Sequence, residues 1–429
     1  KNERSVSVPV LLRLLEVYGV DWQDIAEDED TAQLADLRAA LQDPLFESDH
    51  TDLTQLRAAL THSPDLASAF LRLHRAYLAA TDQLMSVTEA QDPEAGRPVV
   101  SPEAAVHMFF RTRKNYFQEL EAPAERFWGD QQVEPDDVYA ALKARLHNRF
   151  GIRVRVVAVE EMPGALRTYD EQQRQVTLSQ ALDHPNRVFQ LAHVCGLIEE
   201  QDTLDALLSE TGIPDSRGQT RCRVELANYF AAAVLMPYGA FLAEATSSKY
   251  DFAHLAARFG VSFEQACHRA TTLQRSGARG VPFFFLRTDK AGNVTKRFNA
   301  TDFHLAEYGG ACPRLDIHTS FRMPGHINAQ FVEMPDTSRF FVFSRTVDRP
   351  VVTRYAQDLR LAVAMGCSVE HVGSIGYAEG LAMTDERVTP IGINCRICPR
   401  QNCDQRAHAA VVLTGPLDAS KRGATRYDH

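Results

Sequence analysis

The chain has 429 residues, of which 45% are hydrophobic and 24% charged, with a net charge of −10 and eight cysteines. This is the balance of an ordinary globular protein of about two to three domains, and its acidity excludes polyanion binding by bulk charge. No apolar run reaches the roughly 20 residues that span a bilayer, and sparse cysteines without a signal-peptide pattern predict a reducing, cytoplasmic compartment.

Residues 5–26, SVSVPVLLRLLEVYGVDWQDIA, read as an amphipathic helix and the start of a second. Ser7 suits a cap, Pro9 the first turn, and Leu11, Leu12, Leu14, Leu15 and Val17 form a stripe that ends at Gly19. Residues 27–90 continue as helices with Leu/Ala stripes, and the stretch Leu53 to Leu84 reads as a packed pair or an oligomerising arm. A linker, QDPEAGRPVVSP, occupies 91–102, and helices follow to about residue 149. β-Branched residues predict strands at 153–160 and 175–179. Helices resume at 186–200 and 218–236, break at Pro237 and Gly239, and continue to about residue 275. The run GVPFFFLRTDKAGNVTKRF predicts a hairpin turning at 290–293, with later strands at 338–346 and 370–377. The fold class is α+β: helical at the N-terminal end, α/β in the middle and richer in strands after residue 280.

Three patterns carry chemistry. The helix RVFQLAHVCGLIEE (187–200) bears His193, and RVELANYFAAAVLMP (223–237) bears Glu225. A zinc-peptidase helix needs histidines at i and i+4 with a glutamate between them to polarise a metal-bound water. Here the run is His193-Val194-Cys195-Gly196-Leu197. Val194 cannot accept a proton and Leu197 cannot bind metal, so peptidase catalysis is not expected. A cleft of this kind without metal or base suits a small ligand. The second pattern is Cys395, Cys398 and Cys403, spaced C-x2-C-x4-C, with Cys312 of GGACPR the best-placed fourth ligand. Spacing alone leaves structural zinc and an iron–sulfur cluster both open. The third is basic: Arg111, Arg113 and Lys114 with Tyr116 in FFRTRKNYF, and Arg221 and Arg223 just before Glu225. Arginine forks suit phosphate.

Taken together, these segments resemble known families. The two helices resemble the ImmA/IrrE-like zinc peptidase domain in degenerate form. KNERSVSVPVLLRLLEVYGVDW resembles the end of a lambda-repressor-type helix-turn-helix. The stretches 309–347 and TPIGINCRICPRQNCDQRA (389–407) resemble the C-terminal domain of the short-chain fatty acyl transcriptional regulators. The resemblance implies a helix-turn-helix remnant at 1–26, a helical segment at 27–90, a degenerate ligand-binding domain at 100–275 and a C-terminal domain at 276–429. It implies promoter DNA as partner, through DNA-reading helices expected to lie before Lys1, in a homo-oligomer away from membranes that controls propionate or acetate use. It also implies a 4Fe–4S cluster on Cys312, Cys395, Cys398 and Cys403, its charge offset by Arg396, Arg400 and Arg406. A short-chain acyl-CoA such as propionyl-CoA is the implied effector. Its expected contacts are Arg111, Arg113, Lys114 and Arg221 for phosphate, and His193, Leu197, Glu225 and Tyr229 for the acyl end. The competing readings are an active zinc peptidase and a structural-zinc interaction module.

Overall fold

The computed structural model describes residues 29–41, 53–90 and 102–410, apart from 130–132, 135, 214–215, 302, 304–309, 349–358 and 402. The readings made for 1–26, for the linker up to residue 101 and for the tail past 410 lie outside the described residues.

Three helices come first: α1 (Glu29–Leu41), α2 (Leu53–His62) and α3 (Pro64–Ala90). Leu37, Ala40, Leu56, Leu60, Ala67 and Leu71 close into a small core of their own.

The middle of the chain follows as α4 (Pro102–Thr112), α5 (Gln118–Arg126), α6 (Val138–Phe150), β1 (Arg153–Val157), β2 (Arg167–Asp170), β3 (Gln175–Ser179), α7 (His184–Glu199), α8 (Gln201–Glu210), α9 (Ser216–Leu235), α10 (Tyr238–Ser247), α11 (Phe252–Phe259) and α12 (Phe263–Ala270). Local signals set many boundaries. Gly151 ends α6 in the left-handed conformation, at φ 66°, where its N–H reaches the carbonyls of His147 and Leu146. Asp183 caps α7 by accepting from the Asn186 N–H, and Ser262 and Gln265 form a capping box on α12. β1 and β3 pair in parallel, and β2 adds to β3 antiparallel. The second half of α9 and the middle of α7 form the buried centre of this unit, with Val194, Leu226, Phe230 and Ala231 fully enclosed. Among the described residues no single helix is long and apolar enough to cross a membrane.

The last part is a six-stranded sheet in the order β5-β4-β8-β7-β6-β9, made of β4 (Phe284–Thr288), β5 (Val294–Asn299), β6 (Asn328–Glu333), β7 (Arg339–Val347), β8 (Leu361–Ser368) and β9 (Val388–Pro390). All neighbours are antiparallel except β6 and β9. Alternate residues serve two cores. Phe285, Phe331, Phe341, Phe343, Val363, Met365 and Cys367 join the helical core, whereas Phe284, Leu286, Val332, Phe340, Val342, Ala362 and Ala364 line a second core that includes Cys312 and Ile391. Burial on both faces explains the continuous apolar runs in β4, β7 and β8.

The hairpin and the strand near 338–346 are where the sequence predicts them. The strand expected at 370–377 is not. Residues 369–374 and 376–378 are 3-10 turns, and the strand is β8 just before them. Val369, Val372 and Ile375 recur every third residue, the period of a 3-10 helix. β8 itself, LAVAMGCS, was hidden by its Ala and Gly content, since burial on both faces rather than propensity holds it in the sheet.

Candidate ligand cleft and cysteine site

The sheet separates two sites. On its helical face, α7 carries His193 and α9 carries Glu225, both buried, at 3% and 7% exposure. Neither meets a metal-binding partner. Arg167 of β2 places Nη1 2.7 Å from His193 Nδ1. A guanidinium has only donors, so Nδ1 accepts and the ring proton sits on Nε2. Burial, with Arg167 adding to it, lowers the His193 pKa to about 4, so the ring is neutral at pH 7. Glu225 pairs with Arg221 at 3.0 Å and approaches Lys296 of β5 at 3.6 Å. Burial alone would push its carboxyl up, but Lys296 and then Arg221 outweigh that and hold it at about 2. His107 of α4 accepts from Arg297 at 3.1 Å, and burial and then Arg297 lower it to about 3. His268 stacks on Phe298 with ring centroids 4.1 Å apart, and burial pushes its pKa far down.

Among the described residues this buried cluster therefore sets the cations Arg167, Arg221 and Lys296 around the carboxylate of Glu225. Arg167 meets a histidine rather than an acid, and burial alone lowers its pKa. A divalent metal does not fit: the two surviving family ligands already face a guanidinium and an ammonium, and Val194 is fully buried with no group to activate water. Gly196 stands where a larger residue would strike the Phe230 ring, since a Cβ there would lie 2.7 Å from it.

Of the expected acyl-CoA contacts, the structure brings together His193, Arg221 and Glu225. Leu197 is only partly buried, packed against the core. Tyr229 is a correction. It has no exposed surface, its hydroxyl donates to Glu121 at 2.7 Å and accepts from the Phe117 N–H, and so it cannot reach a ligand. Arg111 and Lys114 are exposed. Arg113 is held by Glu119 and Glu210 and lies over the rings of Phe109 and Phe117. Sequence reading missed Arg167, Lys296, His107 and His268. The alternation in VTKRFN puts Lys296 and Phe298 on one face of β5, but nothing local says which face meets the helices.

On the other face of the sheet, Cys312, Cys395, Cys398 and Cys403 line one pocket with Gly392, Asn394, Arg400 and Arg406. All four are free thiols, Cys312 and Cys398 buried and the other two partly so. Among the described residues no group of three Cys, His, Asp or Glu side chains is drawn in tightly enough to hold a single ion. The donor set still fits a thiolate-bound centre: four soft ligands converge from two loops. The Gly392 N–H lies 3.5 Å from Cys312 Sγ, and a Cβ on Gly392 would come within 2.5 Å of Cys398 Sγ. Burial raises the thiol pKa of Cys312 and of Cys398.

Similarity to known proteins follows this division. Residues 147–271 match the IrrE N-terminal-like domain, and residues 272–427 match the short-chain fatty acyl coenzyme A regulator, C-terminal. The chain is 37% identical over 427 residues to a propionyl-CoA carboxylase regulator of Cereibacter sphaeroides, covering 100% of this chain and 90% of that protein. It is 34% identical over 430 residues to the HTH-type transcriptional regulator RamB of Mycobacterium tuberculosis, covering 99% and 90%. A solved Mycobacterium tuberculosis transcriptional regulator superposes with a TM-score of 0.71 at 33% identity, over 76% of this chain and 100% of that one.

Proposed function

The chain belongs to the short-chain fatty acyl coenzyme A regulators, a family of transcription regulators, and from that premise we propose that it is the sensor part of a DNA-binding regulator of propionate metabolism. In this reading it binds a short-chain acyl-CoA in the cleft around His193 and carries a 4Fe–4S cluster on Cys312, Cys395, Cys398 and Cys403.

The observation that carries the reading is the cationic cluster around His193 and Glu225. Among the described residues Arg167, Arg221 and Lys296 gather around the carboxylate of Glu225, and the phosphates of a polyanionic ligand such as coenzyme A suit such a cluster. Losing the peptidase metal and base while gaining these cations turns a hydrolytic cleft into a binding one. A ligand held there moves a regulator only so far as it binds two arrangements of the molecule unequally.

A thermal-shift titration with propionyl-CoA against free CoA tests the sensing role. Ligand at a hundred times its Kd stabilises by about 2.7 kcal/mol, and Arg167→Met should abolish most of that shift. No shift with any short acyl-CoA overturns the reading. For the cysteine site, four thiols lining one pocket support a thiolate-bound centre. Anaerobically purified protein should hold about four iron and four sulfide per chain. One zinc without sulfide would make the site a structural-zinc module instead. Self-association belongs to the same reading: Leu66 and Leu73 on α3, one heptad apart, are 70% and 69% exposed. Replacing both by Glu should lower the sedimentation mass if α3 joins two copies, and an unchanged mass removes α3 from that role.

A further inference from the structure

Arg406 is the most enclosed basic side chain near the cysteines, at 6% exposure. It pairs with no carboxylate within the loop. Its guanidinium turns inward and donates to three backbone carbonyls of the same segment: Cys395 at 3.1 Å, Cys398 at 3.5 Å, and Arg400. Its own N–H donates to the Cys403 carbonyl at 3.2 Å. The carbonyls at 395, 398 and 400 are thus gathered around one guanidinium. Such a loop has neither helix nor strand to satisfy its carbonyls, and each one buried without a donor costs free energy. Arginine spreads five donors over three nitrogens of one plane and so reaches three separated acceptors at once, whereas lysine's three donors share one nitrogen.

Arg400 extends the arrangement outward. Its Nε donates to the Ile391 carbonyl and its Nη2 to the Glu333 carbonyl, both at 2.6 Å. The Glu333 carbonyl also accepts from the Ile391 N–H at 2.9 Å, where β6 and β9 end their parallel pairing. One arginine therefore shapes the cysteine loop and the next ties it to the sheet.

We propose that Arg406 is a positioning residue that builds the cysteine pocket before any metal arrives, by holding the carbonyls of Cys395, Cys398 and Arg400 around its guanidinium. Its role is geometric rather than charge compensation of a cluster. The inference rests on the cluster reading for its purpose but not for its test.

The test uses the full chain, metal-free and reduced, alkylated with iodoacetamide and followed cysteine by cysteine by mass spectrometry. Arg406→Met should raise the reaction rates of Cys395 and Cys398 on the order of tenfold by letting the loop open locally, while Cys367, enclosed in β8, stays unreactive and reports an intact sheet. Arg406→Lys keeps the charge but not the fork, and should show an intermediate rise. It decides the matter if the Met variant fails to fold and exposes Cys367. Wild-type rates in a folded Met variant, or in the Lys variant, overturn the proposal. On anaerobic reconstitution both variants should take up less iron and sulfide than the wild type. A wild type that takes up no iron refutes the cluster reading, whereas the alkylation rates still judge the clamp.

Discussion

At His193 an arginine sits where a metal would be expected. The ring stays neutral because burial and the Arg167 charge both oppose protonation, and His107 and His268 are held neutral in the same way. Each has a folded pKa below its ordinary 6.5, so the unfolded chain takes up these protons first. The sign follows: the stability they contribute is complete above pH 6.5 and is lost as pH falls, by about 1.4 kcal/mol per pH unit per histidine. Urea unfolding between pH 7 and 5 should show this loss, and His268→Phe should flatten the slope. Glu225 adds an acid-sensitive contribution only below about 4.5, as the pH falls toward its folded value of about 2. A second residue-scale prediction concerns Glu121 and Arg269, whose side chains are 1% and 0% exposed and hydrogen-bond in a bidentate pair at 2.5 and 2.9 Å. Glu121→Gln leaves a buried guanidinium without its counter-charge and should cost about 3–5 kcal/mol. Arg269→Met combined with Glu121→Leu should recover much of that loss in urea titrations.

The elements were legible where local chemistry marks them. The helices read up to about residue 149 and at 186–200 end and begin at Gly151 and Asp183, whereas the segment read as helical to about residue 275 is broken into three by Asp251 and Ser262 caps that the reading passed over. The strand read at 370–377 is instead 3-10 turns, and the Ala- and Gly-rich strand before it escaped the reading because burial on both faces rather than propensity holds it in the sheet. Contact between elements turns on small residues that a sequence pattern does not explain. Gly196 in α7 lets Phe230 of α9 approach. Ala at that site would gain about 1 kcal/mol of helix propensity, but its Cβ would meet the ring at 2.7 Å. Overpacking of this kind costs about 1–3 kcal/mol, and Phe230 is fully buried with no room to withdraw. Gly196→Ala should therefore lower the melting temperature despite the better helix former.

At the scale of the molecule, the peptidase-like and C-terminal parts share one core. The cluster containing Leu191, Phe230 and Phe252 also contains Phe285, Phe341 and Met365 of the large sheet, whereas α1–α3 keep a separate one. Calorimetry should show a single transition for the shared core, with the α1–α3 unit melting independently. A chain cut after residue 275 should bind a hydrophobic dye, since the helical unit loses the sheet face that covers it. The sheet also reaches Glu225 through Lys296, so on the proposed sensing role Lys296→Met should weaken acyl-CoA binding although it lies on the C-terminal side of that cut.

What the sequence determined by itself was local: the helical periodicities, the hairpin, the loss of base and second ligand at Val194 and Leu197, and the spacing of Cys395, Cys398 and Cys403. What only the tertiary structure decided was which groups meet. Arg167 comes to His193 across 26 residues, and Lys296 comes to Glu225 of α9 from the six-stranded sheet. The reason is physical. Periodicity and capping act over a few residues and leave their mark in the pattern, whereas the meeting of distant side chains depends on which face each strand and helix buries, and that is settled by the packing of the whole core.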